Sequence, residues 1–344
     1  MKYIDLSIQD RQDILRRVQS ETGKDLQIIE KDWWVVTVLR ALFELPYAQH
    51  ISFKGGTSLS KCWNIIQRMS EDVDIAIDRE FLGFGGHLTR TQISDRLRRA
   101  ACSFVREKLL FDLAAQLEKD GISPDAFKVK VDITPISTTD PETVKVEYTP
   151  VFDANPYIRS TVLIEVSGRS MSEPVENVPI RSYIDEVYTQ APFTEPAFEI
   201  RAVVPQRTFL EKLFLLHEEF AKPQADIRVD RMSRHIYDIC KMADTPIADQ
   251  ALADKDLYLS VMDHRRTFIG LRGFDYQTLL PQTLSILPPA AVRDAWKKDY
   301  QAMQESMIYE ESPSFEQLIE KLTALNKKIN ALKYLRCQLG KLAQ

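Results

Sequence analysis

Two acidic residues separated by a single position, Asp72 and Asp74, carry the clearest chemical signal in the chain. They alternate with Val73, Ile75 and Ile77, the period-two pattern of a strand with one apolar face. Alternate residues of a strand project to the same side, so the two carboxylates stand together. Adjacent carboxylates repel unless a cation lies between them. Magnesium suits such a pair, because it takes oxygen ligands and is commonly held by one or two carboxylates together with substrate phosphates. An isolated Asp-x-Asp is more often a solvated strand or turn, so the pair acquires meaning only from its surroundings.

Those surroundings begin with Lys54-Gly55-Gly56-Thr57-Ser58, between the short apolar stretch Ile51-Ser52-Phe53 and a helical pattern. Glycines allow a backbone to approach a ligand closely. The helix that follows presents free N–H groups to phosphate, and Thr57 or Ser58 can cap it and bond a phosphate oxygen. Lys61, Arg68 and Ser70 lie on or after this helix and could bind a triphosphate; the competing assignment for Arg68 is an ion pair with Glu71 or Asp72. Together, strand, diglycine, helix and acidic strand set a phosphate cradle and a metal pair at one end of a β-α-β element.

The elements that must position these residues follow from periodicity. Residues 6–45 read as two amphipathic helices, the second carrying Trp33, Trp34, Val36, Leu39 and Leu42 and ended by Pro46. Helical spacing returns from Ser58 to Met69, through Leu59, Cys62, Trp63 and Ile66. A glycine-rich loop (Gly83, Gly85, Gly86) precedes a helix over 91–119, and strand-like stretches follow at 127–136, 143–148 and 160–166. The proline-punctuated segment 167–204 reads as loops, a short helix and one strand, 197–203. Beyond Pro205 the spacing predicts helices at 207–221, 228–243, 247–263, 289–309 and 314–338. The expected organisation is a mixed α+β domain over 1–204 with a helical N-terminal segment, and an all-helical domain over 205–344.

Composition excludes some classes. At 44% apolar and 28% charged residues the chain is ordinary for a globular protein, and no apolar run approaches the ~20 residues of a membrane helix. The N-terminus lacks the pattern of a secretory signal, so the expected location is cytoplasmic, with no membrane partner. Four scattered cysteines, Cys62, Cys102, Cys240 and Cys337, form no CxxC pair and read as reduced buried thiols. A net charge of −5 argues against a whole-protein footprint for nucleic acid. Locally, residues 321–344 hold six basic residues and no acids, and the helix with Arg96, Arg98, Arg99 and Arg106 is a second basic candidate; for both, a solvated helix is the plainer assignment.

The stretch Ile29 to Ile77, with Glu30-Lys31-Asp32-Trp33-Trp34, Phe53-Lys54-Gly55-Gly56-Thr57-Ser58-Leu59-Ser60-Lys61 and Arg68-Met69-Ser70-Glu71-Asp72-Val73-Asp74, resembles the AbiEii/AbiGii family of nucleotidyltransferase toxins, of the DNA polymerase β-like superfamily. Leu163-Ile164-Glu165-Val166-Ser167-Gly168-Arg169-Ser170, Arg207-Thr208-Phe209-Leu210-Glu211-Lys212 and Ser233-Arg234-His235-Ile236-Tyr237-Asp238 extend the resemblance. It implies a mixed sheet with flanking helices plus a helical C-terminal domain. It also implies two magnesium ions, with Mn2+ as an alternative, on Asp72 and Asp74. A third carboxylate would come from a neighbouring strand, Glu165 or its rival Asp132. Thr57 and Ser58 would occupy the phosphate-contacting turn, and Lys212 and Asp238 would lie near the nucleotide. The implied reaction moves an NMP from an NTP to an acceptor hydroxyl, such as a tRNA 3′ end. The implied setting is a toxin–antitoxin or phage-defence system with a cognate antitoxin. A protein-modifying nucleotidyltransferase and a non-catalytic nucleotide-binding module are the alternatives.

Overall fold

The computed structural model describes residues 1–70, 72–132, 142–152 and 159–333, with Asp132 described by its backbone only. The chain forms two compact units, Met1–Val204 and Pro205–Gln344.

The first unit is built on a seven-stranded mixed sheet in the order β3-β4-β5-β2-β1-β7-β6. Its strands are β1 (Ile51–Lys54), β2 (Asp72–Ile77), β3 (Phe127–Asp132), β4 (Glu142–Tyr148), β5 (Thr161–Ser167), β6 (Val175–Ile180) and β7 (Phe198–Val203). β2 runs antiparallel to β1 and parallel to β5, and β1 runs parallel to β7. Strands β3, β4 and β5 form an antiparallel meander. Strict alternation in β4 and β5 buries Val144, Val146, Tyr148, Val162, Ile164 and Val166. They enter one core with Val73 and Ile75 of β2 and with the helices α1 (Ile8–Thr22), α2 (Leu26–Phe43) and α5 (Leu110–Lys119).

Helix α2 is buried along nearly its whole length. Trp34 stacks on Tyr148 with ring centroids 5.0 Å apart and meets Trp33 edge-on at 5.1 Å. Its charged triplet is buried as well and serves the packing of loops. A Glu30 oxygen accepts the Val151 N–H at 2.8 Å, Lys31 donates to the Arg159 carbonyl at 3.2 Å, and Asp32 accepts the Tyr183 N–H at 2.8 Å. Burial pushes the Glu30 carboxyl up to about 7, against the lowering effects of the Val151 N–H and Arg11.

Several elements differ from the periodicity. The helix after the diglycine, α3 (Gly55–Lys61), starts at the first glycine and stops at Lys61, well short of Met69. Asn64 takes a left-handed φ of 49°, and the Ile65 N–H bonds back to the Leu59 carbonyl, so the chain turns and leaves the helix. The strand β6 falls in a segment read as loop. Its polar residues and Pro179 are compatible with a sheet edge, and among the described strands it pairs with β7 alone. The long helix was expected over 91–119 and appears as a helical run whose α segments, α4 (Arg98–Phe104) and α5, are joined by wider π-type turns at Gln92–Leu97 and Val105–Leu109. The short helix of the proline-rich segment is α6 (Tyr183–Val187).

The second unit contains α7 (Pro205–Phe220), α8 (Ser233–Ala243), α9 (Pro246–Ala253), α10 (Lys255–His264), α11 (Ala290–Ser306) and α12 (Phe315–Asn330). The single helix expected over 247–263 is broken at Asp254, whose carboxylate caps α10 by accepting the Leu257 N–H. Phe214 and Tyr258 meet edge-on at 5.0 Å, and Phe220 meets Trp296 at 4.8 Å. No described helix is long and apolar enough to cross a membrane.

Candidate active site

Strand register assembles the acidic residues. Asp74 is the direct partner of Glu165 on the parallel strand β5, and Asp72 is the partner of Leu163. Register partners share a face, and Val73, Ile75, Ile164 and Val166 are buried on the other side. Asp72, Asp74 and Glu165 therefore occupy one half-buried face of two adjacent strands. Asp132 lies on β3, separated from β2 by two strands, and its side chain is outside the described residues.

The diglycine turn closes against this face. Gly55 has φ +82°, a conformation that favours glycine. A Cβ there would collide with the carboxylate of Asp74, and one on Gly56 would lie 2.8 Å from the Ser70 hydroxyl and 2.9 Å from an Arg68 guanidinium nitrogen. The segment that follows the early end of α3 thus brings Arg68 and Ser70 over Gly56, while Asp74 covers Gly55. Arg68 is almost fully buried and donates to the Met69 carbonyl at 3.0 Å.

Thr57 and Ser58 are buried and bonded internally. Thr57 donates to the Asp72 carbonyl and so ties the turn to the acidic strand, and Ser58 donates to the Gly55 carbonyl at 3.0 Å. Lys61 goes elsewhere. Its ammonium is 2.7 Å from Asp32 and 4.2 Å from the Tyr183 ring centre, with its side chain 5% exposed. Burial, then Asp32, pushes the Tyr183 hydroxyl upward. The structure therefore puts Lys61 into a buried pair with α2, where the sequence suggested a triphosphate contact.

One cation absent from the sequence-based site set belongs to this face. Lys54 ends β1 as the register partner of Asp74, so its half-buried side chain shares the carboxylate side. Its signal was its place directly before Gly55, one strand position after the buried Phe53.

In the second unit Lys212 of α7 lies 2.9 Å from Asp238 of α8, with Asp238 fully buried. The Lys212 ammonium is also 3.4 Å from His235 Nδ1. Asp238 therefore pairs across two helices. His217 is a structural histidine. Its Nδ1 accepts the Ser285 N–H at 2.9 Å and its Nε2 meets the Thr278 hydroxyl at 3.0 Å; burial lowers its pKa.

Magnesium is the metal implied by these donors. Three carboxylates on adjoining strands supply the hard oxygen ligands it takes, and their placement by register fits it. Among the described residues, no three acidic, histidine or cysteine side chains converge closely enough to enclose an ion. The fit lies in donor chemistry and strand register.

The first unit is a mixed sheet with flanking helices, and the second is helical. The chain belongs to the AbiEii toxin family: the family described as "Nucleotidyl transferase AbiEii toxin, Type IV TA system" matches residues 37–321. Among solved structures, it is similar to MenT4, a nucleotidyltransferase toxin from Mycobacterium tuberculosis H37Rv, at 15% identity and a TM-score of 0.45, covering 92% of this chain and 98% of that one. It is also similar to JHP933 from Helicobacter pylori, at 13% identity and a TM-score of 0.41, covering 88% and 92%. A comparison with curated proteins found no match.

Proposed function

We propose that this chain transfers a nucleoside monophosphate from an NTP to the 3′ hydroxyl of an RNA, with tRNA as the first candidate. It would act in the cytoplasm as the toxin of a toxin–antitoxin or phage-defence system, opposed by a cognate antitoxin. The observation that carries this reading is the register pair Asp74–Glu165 beside a Gly55 that Asp74 itself covers.

Asp72, Asp74 and Glu165 would hold magnesium, two ions being expected and Mn2+ serving as a substitute; the metal would neutralise phosphate charge and lower the pKa of the attacking hydroxyl. Gly55 and Gly56 let Asp74, Arg68 and Ser70 lie directly against the turn, and the donor's phosphates would meet the turn through the space these side chains border. Lys54, Arg68 and Ser70 offer positive charge and a hydroxyl around that space, where charge shifts onto the departing pyrophosphate. Glu165 would accept the proton of the attacking hydroxyl or complete the shell of the first metal. Thr57 and Ser58 hold the turn's shape from within. For Lys212 and Asp238 the proposal follows the family resemblance, a nucleotide contact made by the second unit.

The test is to incubate the protein with each labelled NTP, magnesium and either total tRNA or a cell extract. Label in RNA supports the reading. Label in protein replaces it with a protein-modifying activity, and NTP binding without transfer replaces it with a binding module.

A further inference from the structure

Helix α3 has only seven residues, Gly55–Lys61, too few to hold a helix by themselves in water. Its position is set by what it is tied to. Near its start, Thr57 donates to the Asp72 carbonyl, and in its middle the Leu59 side chain is fully buried. Its last residue carries the third tie. The Lys61 ammonium lies 2.7 Å from Asp32 of α2, and both side chains are almost fully buried. One Asp32 oxygen faces Lys61, while the other accepts the Tyr183 N–H at 2.8 Å. The Tyr183 ring centre is 4.2 Å from the same ammonium, and Lys24 approaches that ring at 4.9 Å. Glu186 of α6 is within electrostatic reach of Lys61, Asp32, Lys24 and Arg181. A single carboxylate on α2 thus joins the end of α3 to the start of α6.

Such a pair adds little to stability, because taking two charges out of water offsets most of their attraction. What it does supply is a fixed place for one end of a short rod. A rise of ~1.5 Å per residue puts Lys61 about 9 Å along the axis from Gly55. The other end of the rod has little clearance. Asp74 fills the space over Gly55, and Ser70 and Arg68 stand close over Gly56. A shift of α3 at Lys61 therefore changes the gap between the turn and those three side chains, which border the space assigned above to the donor's phosphates. Misplacement by about 1 Å can cost on the order of a hundredfold in rate.

We propose that Asp32, Lys61 and Tyr183 are positioning residues for the donor nucleotide: they fix the far end of α3 and so hold the Gly55–Gly56 turn at the distance from Asp74, Arg68 and Ser70 that receives a triphosphate. The inference rests on the nucleotidyltransferase reading above. It adds to that reading a buried group that sets donor affinity without touching the donor.

The experiment compares the full-length protein with K61M, D32N and K61M/D32N. Loss of Lys61 alone leaves Asp32 and Glu186 without the cation they share, so K61M is expected to be destabilised. K61M/D32N removes both charges of the pair, and its asparagine keeps an oxygen for the Tyr183 N–H. Urea unfolding, calorimetric titration with each NTP in magnesium, and steady-state transfer to the acceptor that the unaltered protein labels are measured for each. The expected result is that K61M/D32N unfolds at the same urea concentration as the unaltered protein yet binds NTP about tenfold more weakly or worse. KM for the NTP rises in step, while KM for the acceptor holds. D32N moves NTP affinity the same way, by about threefold, and decides the matter alone if K61M/D32N does not fold. A pair that serves stability only would move the unfolding midpoint and leave the NTP affinity of the folded protein as it was. Unchanged NTP affinity in a folded K61M/D32N or in D32N therefore overturns the proposal and leaves the nucleotidyltransferase reading intact. If the unaltered protein binds no NTP and labels no acceptor, that reading fails and the inference with it.

Discussion

Gly55 lacks a side chain because Asp74 occupies the space that one would fill. Gly55→Ala would set a methyl against the carboxylate and impose an unfavourable φ of +82°. The expected outcome is a loss of 1–3 kcal/mol of stability together with at least a hundredfold loss of transfer, read by denaturant unfolding and by labelling. Gly56 has no positive φ; alanine there meets Ser70 and Arg68. Gly56→Ala should fold nearly normally and raise KM for the NTP, and an unchanged KM would show that the cradle is not where the donor binds. A different residue, Glu30, contributes to pH dependence. Its folded carboxyl titrates near 7, above the ordinary glutamate value of 4.5. The folded state then binds more protons than the unfolded state between those values, so stability falls as pH rises from about 4.5 to 7 and stays lowered above. The effect is at most about 3 kcal/mol. Glu30→Gln should flatten that decline and leave the protein more stable than its parent at pH 8, as thermal unfolding across pH would reveal.

At the scale of elements, the early end of α3 matters most, because the turn at Asn64 returns the chain to lay Arg68 and Ser70 over Gly56. Asn64→Val should cost about 1–2 kcal/mol, since a β-branched residue disfavours φ 49°, while Asn64→Gly should be close to neutral. In the second unit, Lys212→Ala removes the cation 2.9 Å from the fully buried Asp238, a loss of up to roughly 3–5 kcal/mol. Lys212→Met with Asp238→Leu should regain most of it in urea unfolding, and failure to do so would mean that the pair does more than neutralise itself. These elements also show what the sequence could convey. The alternation of Asp72 and Asp74, and that of Glu165, is local and readable as strand. That β5 lies beside β2, so that Asp74 meets Glu165, is a long-range pairing with no local trace. The helical spacing Leu59–Cys62–Ile66 ran past the true end of α3 because Ile65 and Ile66 are buried for another reason, the return of the chain toward the sheet. Lys61 read as a phosphate ligand because its partner Asp32 sits on a distant helix. β6 went unread because an edge strand tolerates the proline and polar residues that signal loop.

At the scale of the whole molecule, a net charge of −5 means that an anionic acceptor must be held by local charge. Much of the basic character of the helices is already used. Arg99 pairs with Asp95, Arg106 with the buried Glu142, Lys108 with Asp112, Lys321 with Asp244, and Lys328 with Asp249. Several cations of the two basic helices of the sequence analysis are therefore already paired; residues 334–344 lie outside the described residues. RNA binding should accordingly show a modest salt dependence, with a slope of log affinity against log salt no steeper than about −4. A steeper slope would mean a wider basic contact than the unpaired share of this local charge implies. Beneath all of this lies the claim that Asp74 and Glu165 jointly hold a divalent ion against a nucleotide. Calorimetric titration of NTP with and without magnesium, into the unaltered protein, Asp74→Asn and Glu165→Gln, addresses it directly. The account predicts metal-dependent binding that each variant weakens at least tenfold, with metal-free binding unchanged. Equal metal-dependent affinity in all three proteins would contradict it.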